Sequence, residues 1–283
     1  MTALLRAACV QFTAGDEVAA NIATASDLIR RARHSGARFV ATPEVTSLME
    51  RRSPQVWQKT TTQEQDPALA AFRLLAAGLG IWLLIGSLPI RIAEDRLANR
   101  SFLLAPDGSI AATYDKIHMF DVELPNGETS RESKNYEAGS EAVVAPTPIG
   151  CFGLTICYDL RFPYLYRMLA KAGAQILTIP AAFTRVTGEA HWHTLVRARA
   201  IETGSYVVAP GMCGDHSDGR KTFGHSLIVD PWGEILADGG PEPGIIWANL
   251  DVEKVAETRR RIPVLANERP LATPVVRLMA GLA

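Results

Sequence analysis

The chain has 283 residues, 47% of them hydrophobic, and a formal net charge of −1. Because it has no surplus of basic residues to neutralise phosphates, nucleic acid and anionic membrane are excluded as main partners. The longest apolar runs have the length of strands and are too short to span a bilayer. The first dozen residues lack a cationic region followed by a long apolar stretch, so they predict a first strand and no signal peptide.

Short apolar runs alternate with helical stretches along the chain. Strands are predicted at residues 4–12, 38–41, 81–89, 100–104, a run ending at 157, 175–180, 206–210, 225–230 and 245–250. Helices are predicted at residues 18–34, 67–79, 164–171 and 191–203, with a polar loop over 121–139. Interleaved helices and strands without a linker predict an α/β fold in a single domain, residues 1–283. Residues 255–283 are expected to form an extension packed on the domain or on a partner subunit.

The four cysteines are Cys9, Cys151, Cys157 and Cys213, and none forms a C-x-x-C pair. Their number and spacing do not fit a disulfide framework, so we expect reduced thiols and a cytoplasmic protein. Cys157 differs from the others because an apolar run ends there in the polar turn Tyr158-Asp159. A thiol at the rim of a sheet is a candidate nucleophile, although a single free cysteine is more often part of a core.

Two charged residues occupy similar positions. Glu44 ends the apolar run at 39–44, and Lys116 lies in the segment Tyr114 to His118. Strand ends on one side of an α/β sheet meet at a shared crevice, so Glu44, Lys116 and Cys157 can converge there. A carboxylate could take the thiol proton, and an ammonium could lower the thiol pKa and stabilise an oxyanion.

Each residue also has a simpler interpretation. Glu44 could be a helix cap or a solvated acid, and Lys116 could pair only with Asp115 or Asp121. The pair His191 and His193 with Cys157 could suggest zinc. Residues two apart do not share a helix face, however, and no further ligand follows at a usual spacing, so no metal is predicted. No glycine-rich loop cradles a phosphate, so no cofactor is expected either.

Several segments in this order resemble the nitrilase superfamily of carbon–nitrogen hydrolases over essentially the whole chain. They are Thr42-Pro43-Glu44, the segment 114–125, the segment 157–163, Thr187-Gly188-Glu189-Ala190-His191-Trp192, the segment 197–202, Gly224-His225-Ser226 and Asp230-Pro231-Trp232-Gly233. The resemblance implies a four-layer αββα sandwich, usually a homodimer, and a Glu–Lys–Cys triad matching Glu44, Lys116 and Cys157. The frequent second glutamate of the family matches Glu132.

Within the superfamily the chain is most similar to the deaminated glutathione amidase branch, with the omega-amidase branch as near competitor. The resemblance implies that carboxylate-bearing substrates meet Arg161 and Thr187, and Arg is well suited to two-point binding of a carboxylate. Tyr158 and Phe183 are candidates for the pocket wall, with core packing as the alternative. The residue after Trp192 is commonly an acid in this branch, whereas here it is His193.

The predicted function is therefore a cysteine amidase that forms a thioester with a small carboxylate-bearing amide, deaminated glutathione first. Omega-amidase activity on 2-oxoglutaramate is the second candidate, and hydrolysis of N-carbamoyl amino acids is the third. A binding or scaffold protein that keeps the fold without the chemistry would be expected to lack at least one of Glu44, Lys116 and Cys157. All three residues are present.

Overall fold

The computed structural model describes residues 4–50, 52–125 and 127–272. The strands found there are β1 (Leu5–Gln11), β2 (Phe39–Ala41), β3 (Trp82–Arg91), β4 (Leu97–Leu104), β5 (Ile110–Asp115), β6 (Asp121–Glu123), β7 (Thr129–Arg131), β8 (Val143–Thr147), β9 (Gly150–Leu154), β10 (Ile176–Thr178), β11 (Tyr206–Ala209), β12 (Cys213–Asp215), β13 (Lys221–Phe223), β14 (Leu227–Val229), β15 (Ile235–Asp238) and β16 (Gly244–Leu250). The helices are α1 (Val18–His34), α2 (Ser53–Lys59), α3 (Pro67–Leu79), α4 (Pro163–Lys171), α5 (Arg185–Thr203) and α6 (Glu253–Arg261).

Twelve of these strands form two six-stranded sheets. The order in the first sheet is β16-β1-β2-β3-β4-β5, and in the second it is β15-β14-β11-β10-β9-β8. The central strands of each sheet run parallel, β1 to β3 in one and β9 to β11 in the other, and the flanking strands are antiparallel. Two short hairpins, β6–β7 and β12–β13, stand apart from the sheets.

The alternation of side chains along the central strands explains the layers. In β1, Ala7 and Cys9 join the core between the sheets, whereas Ala8 and Val10 join the core under α1 and α3. Successive strand residues face opposite sides of a sheet, so a strand that is apolar on both faces must be covered on both. The rings of Phe39 in β2 and Phe152 in β9 meet across the two sheets, with centroids 4.7 Å apart.

Helices cover the two outer faces. Phe72 of α3 packs on the first sheet together with Leu28 and Ile29 of α1. Leu169 of α4 and Val196 of α5 pack on the second sheet. The resulting order of helix, sheet, sheet and helix is the four-layer αββα sandwich that the sequence predicted.

Two predicted bounds are wrong in ways that matter for the site. Strand β9 ends at Leu154, three residues before Cys157, and Cys157 begins a 3-10 turn. The backbone nevertheless continues in extended form, since Thr155 N–H donates to Thr178 O and Cys157 N–H donates to Pro180 O. Helix α5 begins at Arg185, six residues before the predicted start at 191, because Thr184 caps it by accepting a hydrogen bond from Thr187 N–H.

The C-terminal segment begins with α6, where Val255 is buried against the second sheet. Beyond it, Glu268 forms ion pairs with Arg167 and Lys171 of α4. The predicted extension therefore contacts α4 as far as residue 268, and its last part, residues 273–283, lies outside the described residues. Within the described part of the chain, no helix is both long and apolar enough to cross a membrane.

Candidate active site

Glu44 is held in a tight turn that follows β2. The next residue, Val45, has a φ of 48°, a conformation that β-branched residues rarely adopt, and its N–H donates to Ser87 Oγ. The turn presses on Gly86 of β3, where an added Cβ would lie only 2.1 Å from Thr42 O. The strained turn and the required glycine together fix the carboxylate at the end of the sheet.

Lys116 directly follows β5 at the edge of the first sheet. Its N–H donates to Asn99 O, and its own carbonyl accepts a hydrogen bond from Gly139 N–H. A Cβ on Gly139 would lie 2.2 Å from Asp115 O, so only glycine permits this approach. The backbone of the lysine is thus clamped between β4 and the chain around residue 139.

Cys157 enters the site from the second sheet with a φ of 49°. A non-glycine residue in the left-handed region costs free energy and is characteristic of functional turns. Cys157 is 7% exposed, its thiol donates a hydrogen bond to Glu44, and the positive charge of Lys116 acts on the sulfur. The structure therefore brings together the three residues that the sequence predicted to converge.

The charged groups form one closed cluster around Lys116. Its Nζ lies 2.9 Å from Glu44 Oε1 and 2.8 Å from Glu132 Oε2. Glu132 also accepts hydrogen bonds from Phe120 N–H at 2.7 Å and from Asn99 Nδ2 at 3.0 Å. Asn99 Nδ2 lies 3.0 Å from Glu44 Oε1 as well, so this amide links the two carboxylates.

Asn99 is a member of the charged cluster that the sequence reasoning missed. It lies buried inside β4, after Ala98 and before the partly buried Arg100, in the polar run Asn99-Arg100-Ser101. A buried polar side chain needs partners, and here Nδ2 finds them in the two glutamates, whereas Oδ1 is buried without a hydrogen-bond partner among the described residues.

The pKa values follow from burial and from the partners. Burial alone would raise the pKa of Glu44, but Lys116, the Cys157 thiol and Ala182 N–H outweigh it and hold that pKa below its usual value. Burial alone would lower the pKa of Lys116, but Glu132 and Glu44 raise it well above its usual value. Near neutrality the cluster therefore contains a carboxylate at Glu44 and an ammonium at Lys116.

The expectation that Lys116 leaves Cys157 with a lowered pKa is wrong. Burial and the negative charge of Glu44 raise the pKa of the thiol, and the opposing effect of Lys116 is smaller, so the pKa lies well above 9.0. The ammonium is already shared by two carboxylates, which weakens its pull on the sulfur. Cys157 rests as a thiol hydrogen-bonded to a carboxylate.

The cluster lies at the floor of a cavity of about 300 Å³. Tyr158, Phe183 and Thr187 line this cavity, as the sequence predicted, together with Glu44, Lys116, Cys157 and Glu132. Arg161 does not line it: its guanidinium lies over the rings of Phe183 and Tyr158, with Nη1 3.2 Å from His191 Nδ1. Besides Lys116, the cationic residues that line the cavity are Arg131, Arg220 and Lys221, which sequence reasoning did not select.

A family model described as carbon–nitrogen hydrolase matches residues 6–260. The chain belongs to the carbon–nitrogen hydrolase family. Membership confirms the predicted enzyme class and the resemblance to the nitrilase superfamily.

Curated relatives of this family member cover nearly all of the chain. A protein named deaminated glutathione amidase from Synechocystis is 38% identical over 92% of this chain and 96% of its own. A protein of the same name from Yersinia enterocolitica is 36% identical over 96% of this chain and 95% of its own. The human protein of that name is 39% identical over 93% of this chain and 82% of its own.

Solved structures have the same fold. The C. elegans NitFhit protein has a TM-score of 0.87 and 35% identity, covering 95% of this chain, which spans 66% of that longer chain. Nit3 of Saccharomyces cerevisiae, a member of branch 10 of the nitrilase superfamily, has a TM-score of 0.83 and 29% identity, covering 93% of this chain and 96% of its own.

One buried carboxylate joins the lysine segment of this hydrolase to its cysteine turn. Asp159 accepts hydrogen bonds from Ile156 N–H at 2.8 Å and Tyr114 OH at 2.7 Å. It also accepts from the backbone N–H of His118 at 3.1 Å and from His118 Nδ1 at 2.6 Å. Tyr114 and His118 lie two residues before and after Lys116, and Ile156 directly precedes Cys157. Asp159 therefore ties the two segments together and fixes the distance between the ammonium and the sulfur.

We predict that Asp159→Asn lowers kcat about 100-fold. The amide nitrogen of asparagine would face N–H or O–H donors that need an acceptor, and the resulting displacement of Lys116 relative to Cys157, near 1 Å, costs about that factor. We expect a loss of roughly 1–3 kcal/mol in the free energy of unfolding as well, so kinetics should be measured below the unfolding transition. KM should change less than threefold.

The matched control is Tyr164→Phe. Its hydroxyl contacts His118 Nε2 at the outer end of the same hydrogen-bonded chain, so its removal should change kcat less than threefold. A folded Asp159→Asn variant with kcat within threefold of the wild type would contradict a positioning role for Asp159.

Proposed function

We propose that this protein is a cysteine-dependent amidase that hydrolyses a small carboxylate-bearing amide through a thioester on Cys157. The observation that carries the proposal is the joint position of a thiol, a carboxylate and an ammonium at the floor of one cavity. A buried charged cluster of this kind is costly and adds little stability, so chemistry is the better explanation for it.

In the first step Glu44 takes the proton of the Cys157 thiol as the sulfur attacks the amide carbonyl carbon. The lowered pKa of Glu44 keeps it ionised, and the hydrogen bond already in place sets the path of the proton. As the S–C bond forms, the carbonyl electron pair moves onto oxygen. Lys116 Nζ and Tyr158 N–H stabilise this oxyanion. Within the described chain, Tyr158 N–H is not paired with a backbone carbonyl.

In the second step the oxyanion collapses and the C–N bond breaks. Glu44 returns its proton to the leaving nitrogen, which departs as an amine or ammonia and leaves the thioester. Water then attacks the thioester carbonyl, with Glu44 as the base again, and the protonated carboxylate returns the proton to the cysteine sulfur as the acid is released. Glu132 takes no proton; it holds Lys116 in place through two contacts at 3.0 and 2.8 Å.

A structural relative supports the role of the cysteine. One solved structure of an amidase from Nesterenkonia, 27% identical with a TM-score of 0.77 over 92% of this chain, is described as showing Michael addition of acrylamide at the active-site cysteine. Acrylamide is itself an amide, so a thiol in that protein meets an amide ligand directly.

The substrate we propose first is deaminated glutathione, because the curated relatives reported above carry that name. The cavity wall contains the cationic side chains of Arg131, Arg220 and Lys221, each already paired with an acid of the chain, so a ligand carboxylate would compete with those acids for them. Thr187 of α5 and Phe183, which lies just before that helix, would contact the ligand from the same wall. Arg161 would bind a carboxylate only after leaving its position over Phe183 and Tyr158.

The substrate is tested by measuring kcat/KM side by side on deaminated glutathione, 2-oxoglutaramate and an N-carbamoyl amino acid. We expect the first to be hydrolysed most efficiently, because it is the longest of the three and carries a second carboxylate that the cationic wall would bind. Equal or higher efficiency on 2-oxoglutaramate would favour an omega-amidase. Equal or higher efficiency on the N-carbamoyl amino acid would favour a carbamoyl hydrolase.

In the same assay Cys157→Ala should reduce turnover to background, whereas the matched thiol variant Cys151→Ala should retain activity because Cys151 lies outside the cavity. Hydrolysis by Cys157→Ala well above background would overturn the mechanism. Background activity in the wild type on all three compounds would favour the inactive scaffold protein.

We also propose that the chain is one domain and acts as a homodimer in the cytoplasm. Large apolar side chains are exposed on α4 and α5, including Tyr164, Met168 and Ile201, and Trp232 is exposed nearby. Such surfaces are typical of contacts between copies of a chain. Light scattering should give twice the chain mass of 30.7 kDa, and a single chain mass at micromolar concentration would contradict the dimer.

A further inference from the structure

Two imidazoles and a carboxylate converge at a second place, outside the cavity. His193 lies on α5, His225 precedes β14, and Asp238 ends β15. His193 Nε2 donates to Asp238 Oδ2 at 2.9 Å, and His225 Nδ1 donates to Asp238 Oδ1 at 2.9 Å. One atom of each residue lies within 4.8 Å of those of the other two.

These groups match the ligand preferences of a divalent transition-metal ion. Imidazole nitrogen and carboxylate oxygen bind Zn²⁺ and its neighbours at about 2.0–2.2 Å, and three protein ligands leave a further position for water. Around a tetrahedral ion two such ligand atoms lie about 3.4 Å apart, so the three side chains need to close by up to about 1.4 Å. All three side chains are partly exposed, which gives an ion access and freedom for this closure.

The backbone prepares two of the ligands. His225 has a φ of 49°, its N–H donates to Gly240 O at 2.7 Å, and its ring stacks on Phe223 with centroids 4.4 Å apart. Asp238 Oδ1 accepts a hydrogen bond from Gly240 N–H at 2.9 Å. The third ligand, His193, directly follows Trp192 on α5. Trp192 is buried and its Nε1 donates a hydrogen bond to His225 O, which anchors His193 beside the other two ligands. Ligands supported in this way lose little freedom when an ion binds.

We propose that His193 Nε2, His225 Nδ1 and the Asp238 carboxylate form a binding site for one divalent first-row transition-metal ion, of which Zn²⁺ is the representative. The three residues do not line the cavity that holds Cys157, so the ion takes no part in amide hydrolysis. It instead joins α5, the turn before β14 and the end of β15. The zinc site rejected from the sequence combined His191, His193 and Cys157, whereas this one takes only His193 from that set.

Without metal, a carboxylate can only accept, so each imidazole must donate an N–H to Asp238. The ion replaces these two protons, and each imidazole then carries its proton on the other nitrogen or releases it. The site therefore differs from a simple hydrogen-bonded cluster by a measurable affinity for the ion.

The test is calorimetric titration of Zn²⁺ into the Cys157→Ala variant of the full chain, which removes the competing thiol of the cavity. We expect one ion per chain. His193→Gln, which keeps an N–H donor toward Asp238, and Asp238→Asn should each weaken binding at least tenfold. His191→Gln is the matched control: this exposed imidazole two residues away should leave the affinity unchanged within threefold.

Absence of one-to-one binding at 100-fold excess of Zn²⁺ over micromolar protein would overturn the proposal. A loss below tenfold in either ligand variant would do so too, as would an equal loss in His191→Gln, which would indicate adventitious surface binding. Asp238→Asn changes the acceptor that two imidazoles share, so its unfolding midpoint is compared with that of the parent. If Asp238→Asn is unfolded, Co²⁺ replaces Zn²⁺ as the probe. Visible absorption of bound Co²⁺ in the parent, lost in His193→Gln, would support the site, and equal absorption in both would overturn it.

Discussion

The structure of the site depends on one buried ammonium shared by two carboxylates. Lys116 is 2% exposed and lies within 3 Å of both Glu44 and Glu132. Removing such charges from water costs several kcal/mol for each ion, and only close pairing offsets that cost. The pairing explains why Glu44 stays ionised, why Lys116 stays protonated, and why the thiol beside them retains its proton. The catalytic proposal follows from this distribution of protons.

The two sheets contribute different members of the cluster. Glu44 and Lys116 follow strands of the first sheet, and Cys157 follows a strand of the second, so the site exists only when the sheets are packed. The contact between Phe39 and Phe152 belongs to that packing, and the carboxylate of Asp159 then fixes the lysine segment against the cysteine turn. Apolar packing sets the coarse distance between the sheets, and directional hydrogen bonds set the fine geometry of the site.

Much of this could be predicted from the sequence, and the failures have physical causes. The bounds of α1 and α3 follow from clear 3.6-residue periodicity. Glu44 and Cys157 are candidates because they end apolar runs, but only the resemblance to a family decided in favour of a site formed by Glu44, Lys116 and Cys157. Glu132 lies in a polar loop without such a signal, and only the resemblance to a family singled it out. Asn99 remained hidden because the strand was predicted to begin only at residue 100, so Asn99 was assigned to the polar segment before it.

The protonation of Cys157 could not be predicted either, since it depends on how many carboxylates share the lysine. The cluster of His193, His225 and Asp238 was out of reach for a related reason. Its members lie far apart in the chain, and the register of β14 against β15 brings two of them together. Local patterns identify candidates, whereas charge balance and convergence require the packed structure.

The most direct test of the central claim is the ionisation of the Cys157 thiol. The ultraviolet absorbance of thiolate is followed against pH in the wild type and in Cys157→Ala, so that the difference reports this sulfur alone. Since the folded protein raises the pKa, the thiol should remain protonated throughout the neutral range, and the difference signal should appear only above pH 9.0. A full step at or below neutral pH would show a resting thiolate paired with Lys116, and it would contradict the assignment of Glu44 as the base that takes the proton.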